Sequence, residues 1–350
     1  MSNISYDKSQ IIKISNNKRG GYDYSISCIR FIALLFIITC HMMQHESYVL
    51  ANWFNVGVQV FLCISVFLYG LVPKKNTIEF YHSRFLKILV PYYIVYLSFG
   101  LIEFIFFREV FSVPRFLSGI FCRAFISGAG HLWYVSLILL CYILTPLLQI
   151  YRDQYIQNKN SWLLYSLCTI FIISISFGLF NTFFSPAWLC CYAIGFILAT
   201  NKGYYENGQL TCLFGALALI CNSIQIYIDY ILCLQFHGLR AVAYKIFTSY
   251  NHTLLGVFIF LFLKIVLDKF QWKKMVKTKK FLDVSDSYSY ECYLVHQLVI
   301  LGPFSLMSIT HSLSLNIVLI VLVITMLTVS LKFLEVFVMN NINIVRKSRT

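Results

Sequence analysis

The chain has 350 residues, 59% of them hydrophobic and 12% charged, with a mean hydropathy of +0.73. That balance excludes a water-soluble domain and reads as a polytopic membrane protein. The formal net charge of +14 implies no nucleic-acid partner, because the basic residues lie in short segments between apolar runs, as the positive-inside rule requires.

Residues 1–25 are polar, carry Lys8, Lys13, Lys18 and Arg19, and lack the apolar core of a signal peptide. They read as a cytoplasmic tail. A window of about 20 residues then finds ten spans, at 26–43, 54–72, 85–107, 131–150, 162–180, 186–200, 210–232, 251–268, 288–307 and 312–338. The expected fold is an all-α integral membrane bundle of about ten transmembrane helices over 26–338, with 339–350 as a second cytoplasmic tail. Placing both termini in the cytoplasm puts the lysines and arginines inside rather than outside by about four to one.

The first span, ISCIRFIALLFIITCHMM, carries Arg30 near its start and His41 near its end. Eleven positions make three helical turns and about 20°, so both side chains leave one face, roughly 16 Å apart along the axis. A lipid-facing charge at that depth is costly, and ionisable groups inside spans ordinarily face an interior and mark a site.

After the second span comes VPKKNTIEFYHSRFLKILVPYY. Arg84 and Lys87 share a helical face there, with Lys74 and Lys75 close behind. The cluster suits phosphate groups, and it equally suits anionic lipid headgroups. Glu103 and Arg108 near the outer end of the third span are placed to pair with each other.

The fourth span opens HLWYV, with His131 and Trp133 at the outer interface, where a tryptophan anchors in the aromatic belt or lines a site. The ninth begins SDSYSYECYLVHQLVI, in which Tyr293 and His296 share a face. They form either an interhelical hydrogen bond or part of the wall that His41 faces. Lys264, Lys332 and Glu335 lie near span ends and are expected to snorkel. The 12 cysteines are scattered without a C-x-x-C pair, so no disulfide framework and no metal site is expected.

No phosphate-binding G-x-x-x-x-G-K-[ST], dinucleotide G-x-G-x-x-G, zinc-protease H-E-x-x-H or esterase G-x-S-x-G occurs. Chemistry must then take place inside the helical bundle or at its mouths. The residues alone leave an enzyme and a transporter of a glycan or its lipid-linked precursor both open.

Five segments resemble the family-3 membrane acyltransferases, bacterial proteins that O-acylate surface and secreted glycans. They are Arg30-x10-His41, GVQVFLCISVFLYG at Gly57–Gly70, RFLK at Arg84–Lys87 followed by Pro91, HLWYV at His131–Val135 and YSYECYLVH at Tyr288–His296. They follow the family's order over residues 22 to 338. The resemblance implies a bundle in the bacterial inner membrane that takes acyl-CoA, such as acetyl-CoA, from the cytoplasm and acylates a hydroxyl of an exported glycan or lipid-linked saccharide. It implies His41 as catalytic histidine, Arg30 as the essential first-span arginine, and Arg84 and Lys87, with Arg30, on the acyl donor. His131, Trp133, Tyr293 and His296 are expected on the acceptor side. The chain departs from the family at Ser27, where an acidic residue is usual, at Lys87, usually arginine, and at Ser65-Val66-Phe67, where Ser-Gly-Phe is common and the glycine allows close helix approach.

Overall fold

A computed structural model describes residues 23–72, 76–123, 126–157, 186–200, 202–206 and 208–347. The expected tail up to residue 22, the basic pair Lys74 and Lys75 and the expected span at 162–180 lie outside them.

The described chain is helical, with no strand among the described residues. In order the α-helices are α1 (Tyr24–His45), α2 (Ala51–Phe54), α3 (Gly57–Leu71), α4 (Thr77–Phe106), α5 (Val113–Ile120), α6 (Trp133–Gln157), α7 (Pro186–Thr200), α8 (Lys202–Tyr205), α9 (Gly208–Ile226), α10 (Leu239–Asp268), α11 (Val276–Ile300) and α12 (Leu313–Lys347). A 3-10 turn, Gly130–Leu132, leads into α6, and a π-helical turn, Tyr227–Ile231, extends α9.

Among the described residues, seven helical stretches are long and apolar enough to cross a membrane, where ten spans were expected. They match the first four, the seventh, the eighth and the tenth expected spans. The sixth, α7, is apolar but only 15 residues long. The ninth does not lie at 288–307: α11 begins at Val276, carries Lys277, Lys279, Lys280, Asp283 and Asp286 in its first turns, and ends at Ile300 in a run of turns. The eighth expected span, α10, starts earlier than expected, at Leu239, and α12 continues past 338 to Lys347. On α4, the Asn76 side chain accepts the Ile78 N–H at 3.0 Å and Glu79 sits in the first turn, so the helix begins at its cap.

The helices form two compact units. The first comprises residues 23–33, 56–72 and 144–282, as far as they are described. Its core joins Ile29, Ile64, Phe67, Phe260 and Leu261 from α1, α3 and α10. Close helix approach rests on small residues. A Cβ on Gly195 of α7 would lie 2.7 Å from Val66 Cγ1, and one on Gly70 of α3 would lie 2.5 Å from Ala199 Cβ. The glycine that Val66 replaces in the family pattern is thus made good on the facing helix. The carbonyls at the end of α3 are covered from α6: Gln149 Nε2 donates to Tyr69 O at 3.1 Å, and Arg152 Nη1 to Gly70 O and Val72 O at 3.0 and 2.7 Å.

Lys264 does not snorkel. It is 4% exposed, and its ammonium lies 3.2 Å from Asp23 Oδ2 and 2.7 Å from Asp268 Oδ2. Two carboxylates within reach offset its desolvation, and the same contact engages the acidic residue nearest Arg30 in sequence.

The second unit comprises residues 34–55, 76–143 and 283–347, as far as they are described. Three tyrosines of α4 tie down α5. Tyr92 donates to Gly119 O, Tyr93 to Ile120 O at 2.9 Å and Tyr96 to Phe116 O at 3.1 Å. Tyr290 of α11 donates to Ile88 O of α4 at 3.0 Å. Glu103 does not pair with Arg108: its Oε1 accepts the Ser127 N–H at 3.3 Å, while the Arg108 guanidinium sits 5.8 Å from the Phe104 ring centre. Lys332 and Glu335 do not snorkel either, since the lysine bridges Glu291 Oε1 at 2.8 Å and Glu335 Oε2 at 2.9 Å.

Candidate active site

The second unit gathers three histidines from three elements. His41 lies near the end of α1, His131 in the turn before α6, and His296 in the last turns of α11. Their ring centres are 5.1 Å apart for His41 and His296, 6.4 Å for His41 and His131, and 5.0 Å for His131 and His296. His131 and His296 are 3% and 0% exposed, whereas His41 is half-buried.

Each ring makes a hydrogen bond whose partner decides the tautomer. A carbonyl oxygen only accepts, so His131 donates through Nε2–H to Leu294 O at 3.1 Å, and His296 donates through Nδ1–H to Tyr293 O at 2.6 Å. His41 Nδ1 lies 2.7 Å from Gln44 Oε1, three residues on along α1. With Nδ1–H donated there, Nε2 of His41 keeps its lone pair.

His131 is held by α11 through three hydrogen bonds. Its backbone N–H donates to Gln297 Oε1 at 2.8 Å, its carbonyl accepts from the Tyr293 hydroxyl, and its ring rests on Leu294 O. Tyr293 and Gln297 are four apart, on one helical face. A second clasp lies just before the turn. Gly128 and Gly302 have φ of +74° and +82°, and a Cβ on Gly302 would lie 2.5 Å from Gly128 Cα. Only glycine tolerates both that backbone conformation and that approach. The loop ahead of His131 is thereby pressed onto the turn that follows α11.

The sequence-derived residues distribute unevenly. His41, His131, Tyr293 and His296 come together, with Tyr134 as a further ring 5.2 Å from Tyr293. Tyr293 meets His131 through its hydroxyl, the interhelical hydrogen bond that was one of its two open roles. Trp133 is half-buried and edge-on to Tyr134 at 6.1 Å. Arg84 is half-buried with its guanidinium 6.0 Å from the Phe80 ring centre, and Lys87 is exposed three residues on. Arg30 is half-buried on α1, eleven residues before His41. Gln44, Tyr134, Gln297, Gly128 and Gly302 were not anticipated. The helical spacings His41–Gln44 and Tyr293–Gln297 were the available signal for two of them. Among the described residues, no three histidine, cysteine, aspartate or glutamate side chains are placed to hold a metal ion.

Fold and site together define a multi-pass helical membrane protein with three imidazoles gathered in one of its units. A family model described as the acyltransferase domain of acyltransferase family 3 matches residues 23–334, and the chain belongs to that family: it is a membrane acyltransferase. No curated protein and no solved structure matches the chain.

Proposed function

We propose that the protein moves an acyl group, acetyl in the simplest case, from cytoplasmic acyl-CoA to a hydroxyl of an exported or cell-surface glycan, in the inner membrane of a bacterium. The observation that carries this reading is His41, whose Nδ1–H is engaged by Gln44 while Nε2 keeps the lone pair that a general base needs.

The step balances without an added reactant. The glycan hydroxyl gives its proton to His41 Nε2 as its oxygen bonds to the thioester carbon. The carbon–sulfur bond breaks, and the departing thiolate takes the proton back from the imidazole. Arg84 and Lys87, near the start of α4, are suited to the phosphates of the donor by charge and, for the arginine, by its forked donors. Trp133 lies on the acceptor side.

Comparing surface glycans from cells with and without the intact gene by mass spectrometry tests the reading. The expected result is polymer correctly placed at the surface and lacking its ester. Acceptor retained on the inner side, with any polymer at the surface fully esterified, would instead mark a transporter.

A further inference from the structure

The three imidazoles have committed every donor they own. A neutral imidazole has one N–H and one lone pair, and the N–H groups go to Leu294 O, Tyr293 O and Gln44 Oε1. Three lone pairs remain. Nδ1 of His131 and Nε2 of His296 are buried with no hydrogen-bond partner among the described residues. Nε2 of His41 belongs to a ring within 6.4 Å of both of the others.

An orphaned buried acceptor is costly, so a fold retains one where function supplies the partner. The partner must be a donor. A thioester carbonyl, a carboxylate or a phosphate brings only acceptors and gains nothing from these atoms, whereas a hydroxyl fits each of them.

We propose that the acceptor is a polyol gripped through neighbouring hydroxyls. One hydroxyl gives its proton to His41 Nε2 and is acylated, and an adjacent one donates to the lone pair of His296 or His131 and leaves unchanged. The proposal rests on the general-base reading of His41 and adds a requirement for the second hydroxyl. Tyr293, Gln297 and the Gly128–Gly302 contact are positioning elements, because they aim the His131 lone pair without meeting the acceptor.

The test uses the full-length chain in lipid nanodiscs with labelled acetyl-CoA and two small acceptors that differ by one hydroxyl, trans-1,2-cyclohexanediol and cyclohexanol. The expected kcat/KM is about tenfold higher for the diol, the scale of one hydrogen bond to a buried acceptor and above the statistical factor of about two for its paired hydroxyls. His131→Phe and His296→Phe keep a ring and remove the lone pair, and are expected to bring the ratio down towards that statistical value. A wild-type ratio of about two or less overturns the proposal, as does failure to acylate either alcohol, or a high ratio that survives in both variants. The wild-type ratio decides even if a variant does not fold. Equal use of both alcohols that vanishes in His41→Ala would overturn the two-hydroxyl grip alone, whereas transfer undiminished in His41→Ala would remove the base itself.

Discussion

The two units both close charge on charge, at Lys264 and at Lys332, but differ in how much buried polarity their described residues leave open. In the first, Lys264 lies between Asp23 and Asp268, charge closed on charge, and Gln149 and Arg152 cover the carbonyls at the end of α3. Asn251 Oδ1 is the one buried side-chain atom left without a partner among the unit's described residues. In the second, Glu103 Oε2, His131 Nδ1, Glu291 Oε2, His296 Nε2 and Thr328 Oγ1 are all left so. A lipid-embedded fold suppresses unsatisfied groups because nothing around it compensates them. Under the proposed function, the open atoms of His131 and His296 belong to the unit where the acceptor binds, and the first unit acts as scaffold.

Substitutions can break that division. The largest effect is expected for Gly195→Val, which drives new atoms into Val66 and the Cys63 backbone. Overpacking of this kind costs about 3 kcal/mol, and thermal unfolding in detergent should show it. Val66→Gly on the same background should recover part of the loss, and no recovery would mean that the two positions do not share one contact.

Lys264→Ala leaves two carboxylates facing each other. The expected loss is about 2 kcal/mol, less than for a fully buried broken pair because both acids keep some exposure. Acyl transfer per folded molecule should be unchanged in both variants. A fall in that rate would put catalysis in the first unit and undo the contrast.

Tyr293→Phe works on the other side of the division. It frees the His131 carbonyl and should slow acyl transfer about tenfold in kcat, the loss expected when a reacting geometry loosens, while the melting temperature moves less than in Lys264→Ala. Gln297→Ala should act in the same direction and combine non-additively, since both residues hold one backbone unit. Additive losses would show them to be independent. The smallest effect is expected for Gln44→Ala, about fivefold, the equivalent of one exposed hydrogen bond of about 1 kcal/mol. No change in rate would mean that Gln44 does not set the His41 tautomer.

Legibility in the sequence followed the range of the interaction. Arg30 and His41 share a helix, and Tyr293 and His296 share another, so periodicity alone placed each pair on a face. The meeting of His131 with α11 links residues 162 to 166 positions apart, which no local pattern encodes. Only the resemblance to the family linked those segments, and it did so without geometry. Lys264 and Lys332 were misread because hydropathy sees a lysine near a span end and not the carboxylates folded against it. α11 was misplaced because its first turns are charged, so a window tuned to apolar runs begins too late. The glycine absent at Val66 looked like a loss of close packing, when Gly195 on the partner helix provides it.

The most direct measurement is single-turnover transfer of labelled acetyl from acetyl-CoA to envelope glycan by the purified chain, wild type against His41→Ala, with unfolding curves matched beforehand. A base that takes the hydroxyl proton predicts a fall of at least about a hundredfold in the alanine variant. Ester formation at a near-wild-type rate would contradict it and move the chemistry to another group.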